Sequence, residues 1–355
     1  MSDYNGQFSE LIGLVVKEKA SDLHLSVGRH PTLRISGELV PLVKMPVLTS
    51  ADTEGMASLL LSPEQKSVFE KEKSVDLSYA YEDKARFRVN VFLQRGFVSV
   101  AMRLIPVQIQ TLEELNLPPI LSEFTRREQG FFLVVGPTGH GKSTTLASMV
   151  EIINRERSEH VITVEEPIEY LFTQDKSIID QREVGHDAVD FSSALRAMFR
   201  EDINVAMIGE MRDAETISAA VTAAETGHLV FSSLHTNSAS QTIDRVIDSF
   251  ASSQQNQIRT QLASTLLGVF SQRLVPRVSG GRIPAYELLI ANTAVRNLIR
   301  ENKIHEIDIF IETSSESGMI GLNQSLIDLV RKGEITMETA RAYSLNVKSL
   351  EHLIG

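Results

Sequence analysis

The sequence contains no cysteine and no tryptophan. Without thiols there are no disulfides and no Cys-ligated zinc, an absence that fits a cytoplasmic chain. No apolar run is long enough to cross a bilayer. The first residues, MSDYNGQFSE, lack the basic and apolar regions of a signal peptide, so a cytoplasmic location is expected. Positive charge is short as well. The formal net charge is −11, the wrong sign for a dominant nucleic-acid surface, and no direct nucleic-acid partner is expected. Aromatics are scarce, at 6%, and there is neither a low-complexity segment nor a sequence repeat. What remains is ordinary globular composition, 42% hydrophobic and 23% charged. The length of 355 residues suffices for two or three domains with sizeable cores.

Against these absences stands one dense stretch, residues 131–145, FFLVVGPTGHGKSTT. Five apolar residues, 131–135, suit a buried parallel strand. The glycine-rich loop Gly136-Pro137-Thr138-Gly139-His140-Gly141 follows, and Lys142-Ser143-Thr144 opens a helical pattern. This fits G-x-x-x-x-G-K-[ST] between strand and helix, the context that phosphate-binding motif requires. Glycines let main-chain N–H groups close around phosphate oxygens, and the helix N-terminus adds partial positive charge. Lys142 then reaches the β- and γ-phosphates and Ser143 ligands Mg2+. A chance glycine turn is the alternative, and it seldom follows such a strand.

Residues 1–105 read as one small α/β domain. Phe8, Leu11, Ile12, Val15 and Val16 recur at helical spacing. A short strand follows at 21–25, a hairpin at 33–40 turning near Gly37, a helix at 51–61 and another after Pro63. In 85–93 the side chains of Phe87, Val89 and Val91 face one way, and in 98–104 those of Val98, Val100, Met102 and Leu104 share a face. Arg88 and Arg103 then stand on the exposed side of adjacent strands, where arginines are ordinarily just solvated. Residues 106–119, with Pro106, Pro118 and Pro119, form a linker with a short helical piece at 112–115.

Three more apolar runs end in polar chemistry: HVITVEEPIE at 160–169, VAMIGE at 205–210 and HLVFSSLHT at 228–236. In open parallel sheets ligands sit beyond the carboxyl ends of the strands. Glu165, Glu166, Glu169, Glu210 and His235 therefore collect on the phosphate-loop side. Glu210 ends its strand in the manner of a Walker B acid, which holds Mg2+ through its water shell or orients the attacking water. Glu165, Glu166 and Glu169 are rivals for activating water. His228 and His235 either sense the γ-phosphate or are satisfied structural histidines. In 190–200, DFSSALRAMFR, Arg196 and Arg200 are four apart on one helical face. They suit either a salt-bridged surface or contact with phosphate oxygens. From about 251 the pattern turns mostly helical. Residues 257–274 read as one helix and 283–290 as a strand, with short helices at 294–300, 322–331 and 337–343.

Taken in order, these motifs resemble the type II/IV secretion ATPase superfamily, over nearly the whole length. GPTGHGKST resembles its Walker A, VITVEEPIEY its Asp box, VAMIGEMRDAET its Walker B and GHLVFSSLHTNSA its His box. ALRAMFRED resembles its arginine-bearing segment. ASDLHLSVGRHPTLRISGELVPL looks like the start of its N-terminal domain, and AVRNLIRENK resembles the C-terminal motif of its pilus-retraction branch. The resemblance implies an α/β fold: a smaller PAS-like N-terminal domain, a RecA-like P-loop ATPase core at 120–355, and a helical C-terminal region. It implies an ATP-hydrolysing motor for type IV pilus retraction and twitching motility, built as a homo-hexamer, with ATP and Mg2+ as cofactors. Expected partners are an inner-membrane pilus platform protein and a paralogous motor, at the inner face of the cytoplasmic membrane. By position, Arg88 and Arg103 match N-terminal-domain arginines that reach the nucleotide, and Arg196 and Arg200 a pair on the ATPase domain. Glu165 matches the acid proposed to activate water, and Glu210 the Walker B acid. Extension motors usually carry a tetracysteine zinc insertion, which this chain cannot have. Alternatives are an accessory nucleotide-binding subunit with weak hydrolysis and a pilus-assembly or DNA-translocating ATPase. Four positions depart from the family pattern: His140 replaces a small polar residue, Glu166 an aspartate, and Ile203-Asn204 a Pro-Asp pair.

Overall fold

Backbone contacts divide the chain into two units, Met1–Gln108 with Glu169–Leu171, and Ile109–Ile168 with Phe172–Gly355. The computed structural model describes residues 4–35, 37–81, 85–105 and 108–353. Ser36 of the expected hairpin turn, and Pro106 and Val107 of the expected linker, lie outside the described residues.

The first unit runs α1 (Tyr4–Lys17), β1 (Asp22–Leu25), β2 (Thr32–Ile35), β3 (Glu38–Pro41), α2 (Ser50–Leu60), α3 (Pro63–Glu72), β4 (Ser74–Tyr81), β5 (Ala85–Gln94) and β6 (Phe97–Ile105). Its strands pair antiparallel in the order β3-β2-β1-β6-β5-β4. Phe8, Leu11, Ile12 and Val15 form the buried stripe of α1 and join Phe87, Val89, Val91, Val100 and Met102 in one core. The alternation read from β5 and β6 is thus the core face of this sheet. β4 was not foreseen; its Val75 and Leu77 alternate into the same core. Helix starts are chemically marked. Thr49 with Asp52, and Ser62 with Gln65, form capping boxes ahead of α2 and α3, satisfying N–H groups that have no partner within the helix.

The second unit runs α4 (Leu121–Thr125), β7 (Gly130–Val135), α5 (Lys142–Glu156), β8 (His160–Glu165), β9 (Ile178–Glu183), α6 (Phe191–Met198), β10 (Val205–Ile208), α7 (Ala214–Glu225) and β11 (Leu229–Leu234). It continues through α8 (Ala239–Asp248), α9 (Ser252–Thr265), β12 (Leu266–Pro276) and β13 (Arg282–Ile290). Five helices close it: α10 (Thr293–Arg300), α11 (Ile307–Thr313), α12 (Leu322–Arg331), α13 (Met337–Tyr343) and α14 (Val347–His352). The sheet order is β13-β12-β7-β11-β10-β8-β9. All neighbours are parallel except the β12–β13 hairpin. Every residue of β7 and β11 is buried, as a sheet with both faces covered requires. The period of two divides β7 between two cores. Phe131, Leu133 and Val135 enter one, and Phe132 and Val134 the other. Each such side chain contributes roughly 1.5–3 kcal/mol on burial.

Register sets the functional edge. Val135 pairs with Leu234, and Ile208 pairs with both Ser232 and Val164. The loops after β7, β8, β10 and β11 therefore leave the sheet side by side. Two strands, β11 and β10, separate β7 from β8, its successor in sequence. Such a change in strand order opens a crevice for a ligand at the carboxyl edge.

Two expectations are corrected. The helix expected over 257–274 stops at Thr265, and β12 begins at Leu266. Leu266, Val269 and Phe270 are buried beside β7, and a short apolar run of this kind reads equally well as buried helix or buried strand. The helix expected over 190–200 ends at Met198, so Arg200 lies past its last turn and the two arginines do not share a helical face.

The candidate nucleotide-hydrolysis site

The phosphate loop is shaped where β7 ends. Gly136 has φ +145°, and a Cβ there would lie 2.3 Å from the main-chain oxygen of Gln272. Only glycine fits. Gly141 takes φ +83° at the start of α5, turning the chain so that Lys142, Ser143 and Thr144 begin the helix. Lys142 is only 7% exposed. Its ammonium donates to the carbonyls of Gly136 (3.0 Å) and Pro137 (3.1 Å) and lies 3.2 Å from Nδ1 of His235. The loop is thus curled around its own cation, and Thr138 Oγ1 is 3.3 Å from the same ring nitrogen.

His235 is the hub. Its Nε2 lies 3.0 Å from Glu210 Oε1, so the ring donates from Nε2 to the carboxylate and presents Nδ1 as acceptor to Lys142 and Thr138. The other Glu210 oxygen takes Arg212 at 3.2 Å, and Arg212 also reaches Glu166 at 3.0 Å. The hydrogen bond that Arg212 donates to Glu210 holds its guanidinium more firmly protonated than usual. A continuous polar line runs from Lys142 through His235, Glu210 and Arg212 to Glu166, crossing all three polar boxes. Arg212 was missed as a functional residue. Its only sequence signal was its place two residues after Glu210.

Glu165 ends β8 and is 6% exposed. Thr163 donates to its Oε1 at 2.7 Å. The Glu165 side chain packs on Gly209, where a Cβ would stand 3.6 Å from Glu165 Cγ. A buried carboxylate therefore sits one residue from Glu210. Glu169 groups with the first unit.

The remaining expected residues are placed differently. His228 stands at the amino end of β11, with its main-chain oxygen bonded to Gly130 N and Nδ1 on the carbonyl of Ala223 at 2.9 Å. The length of β11, six residues at ~3.3 Å each, or about 20 Å, separates it from His235. The fold does not bring the two histidines together. Arg196 pairs with Glu215 at 2.5 Å, and Arg200 donates to the carbonyl of Arg196. In the first unit, Arg88 and Arg103 face each other across β5 and β6. Both are exposed, and Arg103 Nε lies 2.9 Å from Asp22.

Two departures from the family pattern are absorbed structurally. Ile203 is buried. Asn204 exchanges bonds with His160, its amide donating to the His160 carbonyl and its side chain accepting from His160 N, each at 2.9 Å. The lead-in to β10 is thereby stitched to β8. Glu166 is seated by Arg212.

A family model described as "Type II/IV secretion system protein" matches residues 8–341. The chain belongs to the type II/IV secretion system protein family. It is 42% identical over 333 residues to the "Type IV pilus retractation ATPase PilT" of Pseudomonas aeruginosa, covering 94% of this chain and 96% of that one. It is 41% identical to the "Twitching motility protein" of Neisseria gonorrhoeae, covering 90% and 86%. Among solved structures, the "Pilus Retraction Motor PilT and Bound ADP" superposes with a TM-score of 0.90 at 47% identity, covering 97% of this chain and 98% of that one. As a member of this family the chain has the RecA-like α/β core expected from its motifs, together with a smaller N-terminal α/β unit.

Proposed function

We propose that this chain is an ATP-hydrolysing motor that drives type IV pilus retraction, working as a homo-hexameric ring on an inner-membrane platform protein, with a paralogous motor as a further partner. The observation that carries the hydrolytic part is the Lys142–His235–Glu210 line at the carboxyl edge of the sheet. Bound ATP replaces the carbonyls and ring nitrogen around Lys142 with β- and γ-phosphate oxygens. His235, held by Glu210, then faces the γ-phosphate. Water attacks phosphorus in line, the bond to the β,γ-bridging oxygen breaks, and ADP leaves with the electron pair. Glu165 accepts the proton of the attacking water, since its buried carboxylate is aimed by Thr163 and packed beside the Glu210 turn. Arg196 and Arg200, held away from this edge within the single chain, and Arg88 and Arg103 of the first unit are the sources of the remaining positive charge in this reading, in cis or from a neighbouring copy in the ring.

Ser143 and Glu210 are the residues that would hold Mg2+ in this reading, Glu210 through water, since both its oxygens already bond His235 and Arg212. Among the described residues no group of three or more His, Cys, Asp or Glu side chains forms a metal cluster. Mg2+ keeps several waters and seldom uses an all-protein cage. When bound, the ion neutralises charge developing on the phosphates. Among the described residues no helix is long and apolar enough to cross a membrane, in keeping with peripheral attachment at the inner face.

The test is steady-state ATPase activity. Lys142→Ala should lose turnover by roughly 10³ or more, and Glu210→Gln by roughly 10². Normal turnover in Lys142→Ala would remove the hypothesis. In cells, deletion of the gene should leave abundant surface pili without twitching; bald cells would point to extension instead.

A further inference from the structure

β12 outruns its neighbour. Its last pair with β7 is Ser271 with Val135, whereas its pairing with β13 continues to Pro276. Past Ser271 the edge that faced β7 has no strand to bond to, and a strand edge left this way must find other partners. The phosphate loop provides them. The Gln272 side chain lies between two parts of the loop region: Nε2 donates to the carbonyl of His140 (2.7 Å) and Oε1 accepts from Thr145 Oγ1 (2.6 Å). The main-chain N–H of Leu274 donates to Nδ1 of His140 at 2.9 Å. Arg282 on β13 reaches the carbonyl of Gly139 at 3.3 Å. The imidazole of His140 thus takes the place of the missing strand.

We propose that His140 is a positioning residue for the phosphate loop, tying it through Leu274 and Gln272 to the overhanging end of β12 and so holding the shape in which it receives ATP. This rests on the ATPase reading above. A serine-sized side chain at 140 would end one atom short of His140 Nδ1 and leave Leu274 N without this acceptor.

The tie needs an unprotonated Nδ1, with the ring hydrogen on Nε2. Burial disfavours the charged ring, and Arg273 and Arg282 on the hairpin and Lys142 on α5 repel it. All three neighbouring charges have the same sign, so His140 gains a proton less readily than an ordinary histidine, below pH 6.5. The tie is whole at neutral pH and is lost as the pH falls through that lowered value, when an N–H would face an N–H.

The experiment is equilibrium binding of a fluorescent, non-hydrolysable ATP analogue to the full chain at pH 7.5 and at stepwise lower pH for as long as the chain stays folded. Three variants are compared with the parent: His140→Ala, His140→Asn and Gln272→Ala. At pH 7.5, His140→Ala and Gln272→Ala should each weaken binding by roughly five- to tenfold, the effect of one or two unpaired main-chain or buried polar groups. In His140→Asn, Oδ1 stands where Nδ1 stood, so most of the loss should be recovered. On acidification the parent should lose affinity by several-fold more than His140→Asn. Every other side chain is common to both, so the difference isolates His140. Equal pH profiles for the parent and His140→Asn, or parental affinity in His140→Ala, overturn the proposal. If His140→Ala fails to fold, the His140→Asn profile still decides. A parent that binds no analogue at all would instead overturn the ATPase reading.

Discussion

The two ends of β11 carry the same residue type and different chemistry. His235, at the carboxyl end, links Lys142 to Glu210. His228, at the amino end, is bonded to the carbonyl of Ala223 and lies edge-on to Phe199, with centroids 6.1 Å apart. Both rings have partners, so satisfaction does not separate them. What separates them is what the parallel register places nearby. At the carboxyl edge four loops emerge together, bringing the Lys142 ammonium and the carboxylates of Glu165, Glu166 and Glu210. At the amino edge the neighbours are the end of a helix and a turn. In a parallel sheet the edge, more than the residue, decides which histidine can meet substrate.

The harshest test of this contrast is Gly136→Ala at the carboxyl edge. A Cβ would strike the Gln272 carbonyl, in a backbone conformation that alanine disfavours. We expect a loss of stability on the order of 2–4 kcal/mol and no measurable ATP-analogue binding, read by thermal unfolding and titration. An intact, binding-competent Gly136→Ala would mean that the loop does not depend on its seat against β12.

Next comes the direct comparison of the two histidines. His235→Ala should lower turnover by roughly 10² with the melting temperature little changed. His228→Ala should cost about 1 kcal/mol from a lost half-buried hydrogen bond, with much the smaller loss of turnover. Equal losses of turnover in both variants would break the contrast.

The mildest test concerns how the His235 loop is held. Glu287 on β13 is buried and accepts from Ala239 N at 2.7 Å, at the start of α8. Burial raises its pKa to about 7, with Asp308 and Glu312 adding to the rise and the Ala239 N–H and Arg273 opposing it. The folded chain therefore keeps a proton that the unfolded chain releases near pH 4.5. The resulting stabilisation is whole below pH 4.5 and lost as the pH rises to about 7, on the order of 3 kcal/mol in all. Glu287→Gln keeps an acceptor for Ala239 and removes the titration. Its melting temperature should exceed the parent's at pH 8 and approach it near pH 4.5. Parallel pH profiles would show that Glu287 does not titrate in this window.

How much could be read in advance follows how local each feature is. β7, the loop and α5 were legible because a five-residue apolar run, glycines and Lys142-Ser143 declare themselves within fifteen positions. In the first unit β5 and β6 were legible because they alternate, whereas β4 was not foreseen. β12 was not, because its apolar run adopts strand only where β7 offers an open edge, and that edge lies more than a hundred residues upstream. Gln272 carried no signal at all, since a lone glutamine in an expected helix reads as solvated. Arg212 was visible only as a neighbour of Glu210.

Sequence alone determined the phosphate-binding motif, the acids and histidines that follow strands, and the family these belong to. Each depends on residue type at short spacing. Tertiary structure alone decided which histidine joins Lys142 to Glu210, that Arg212 bridges two boxes, and that the overhang of β12 seats the loop. Those choices rest on strand order and register, set by burial of residues far apart in the chain.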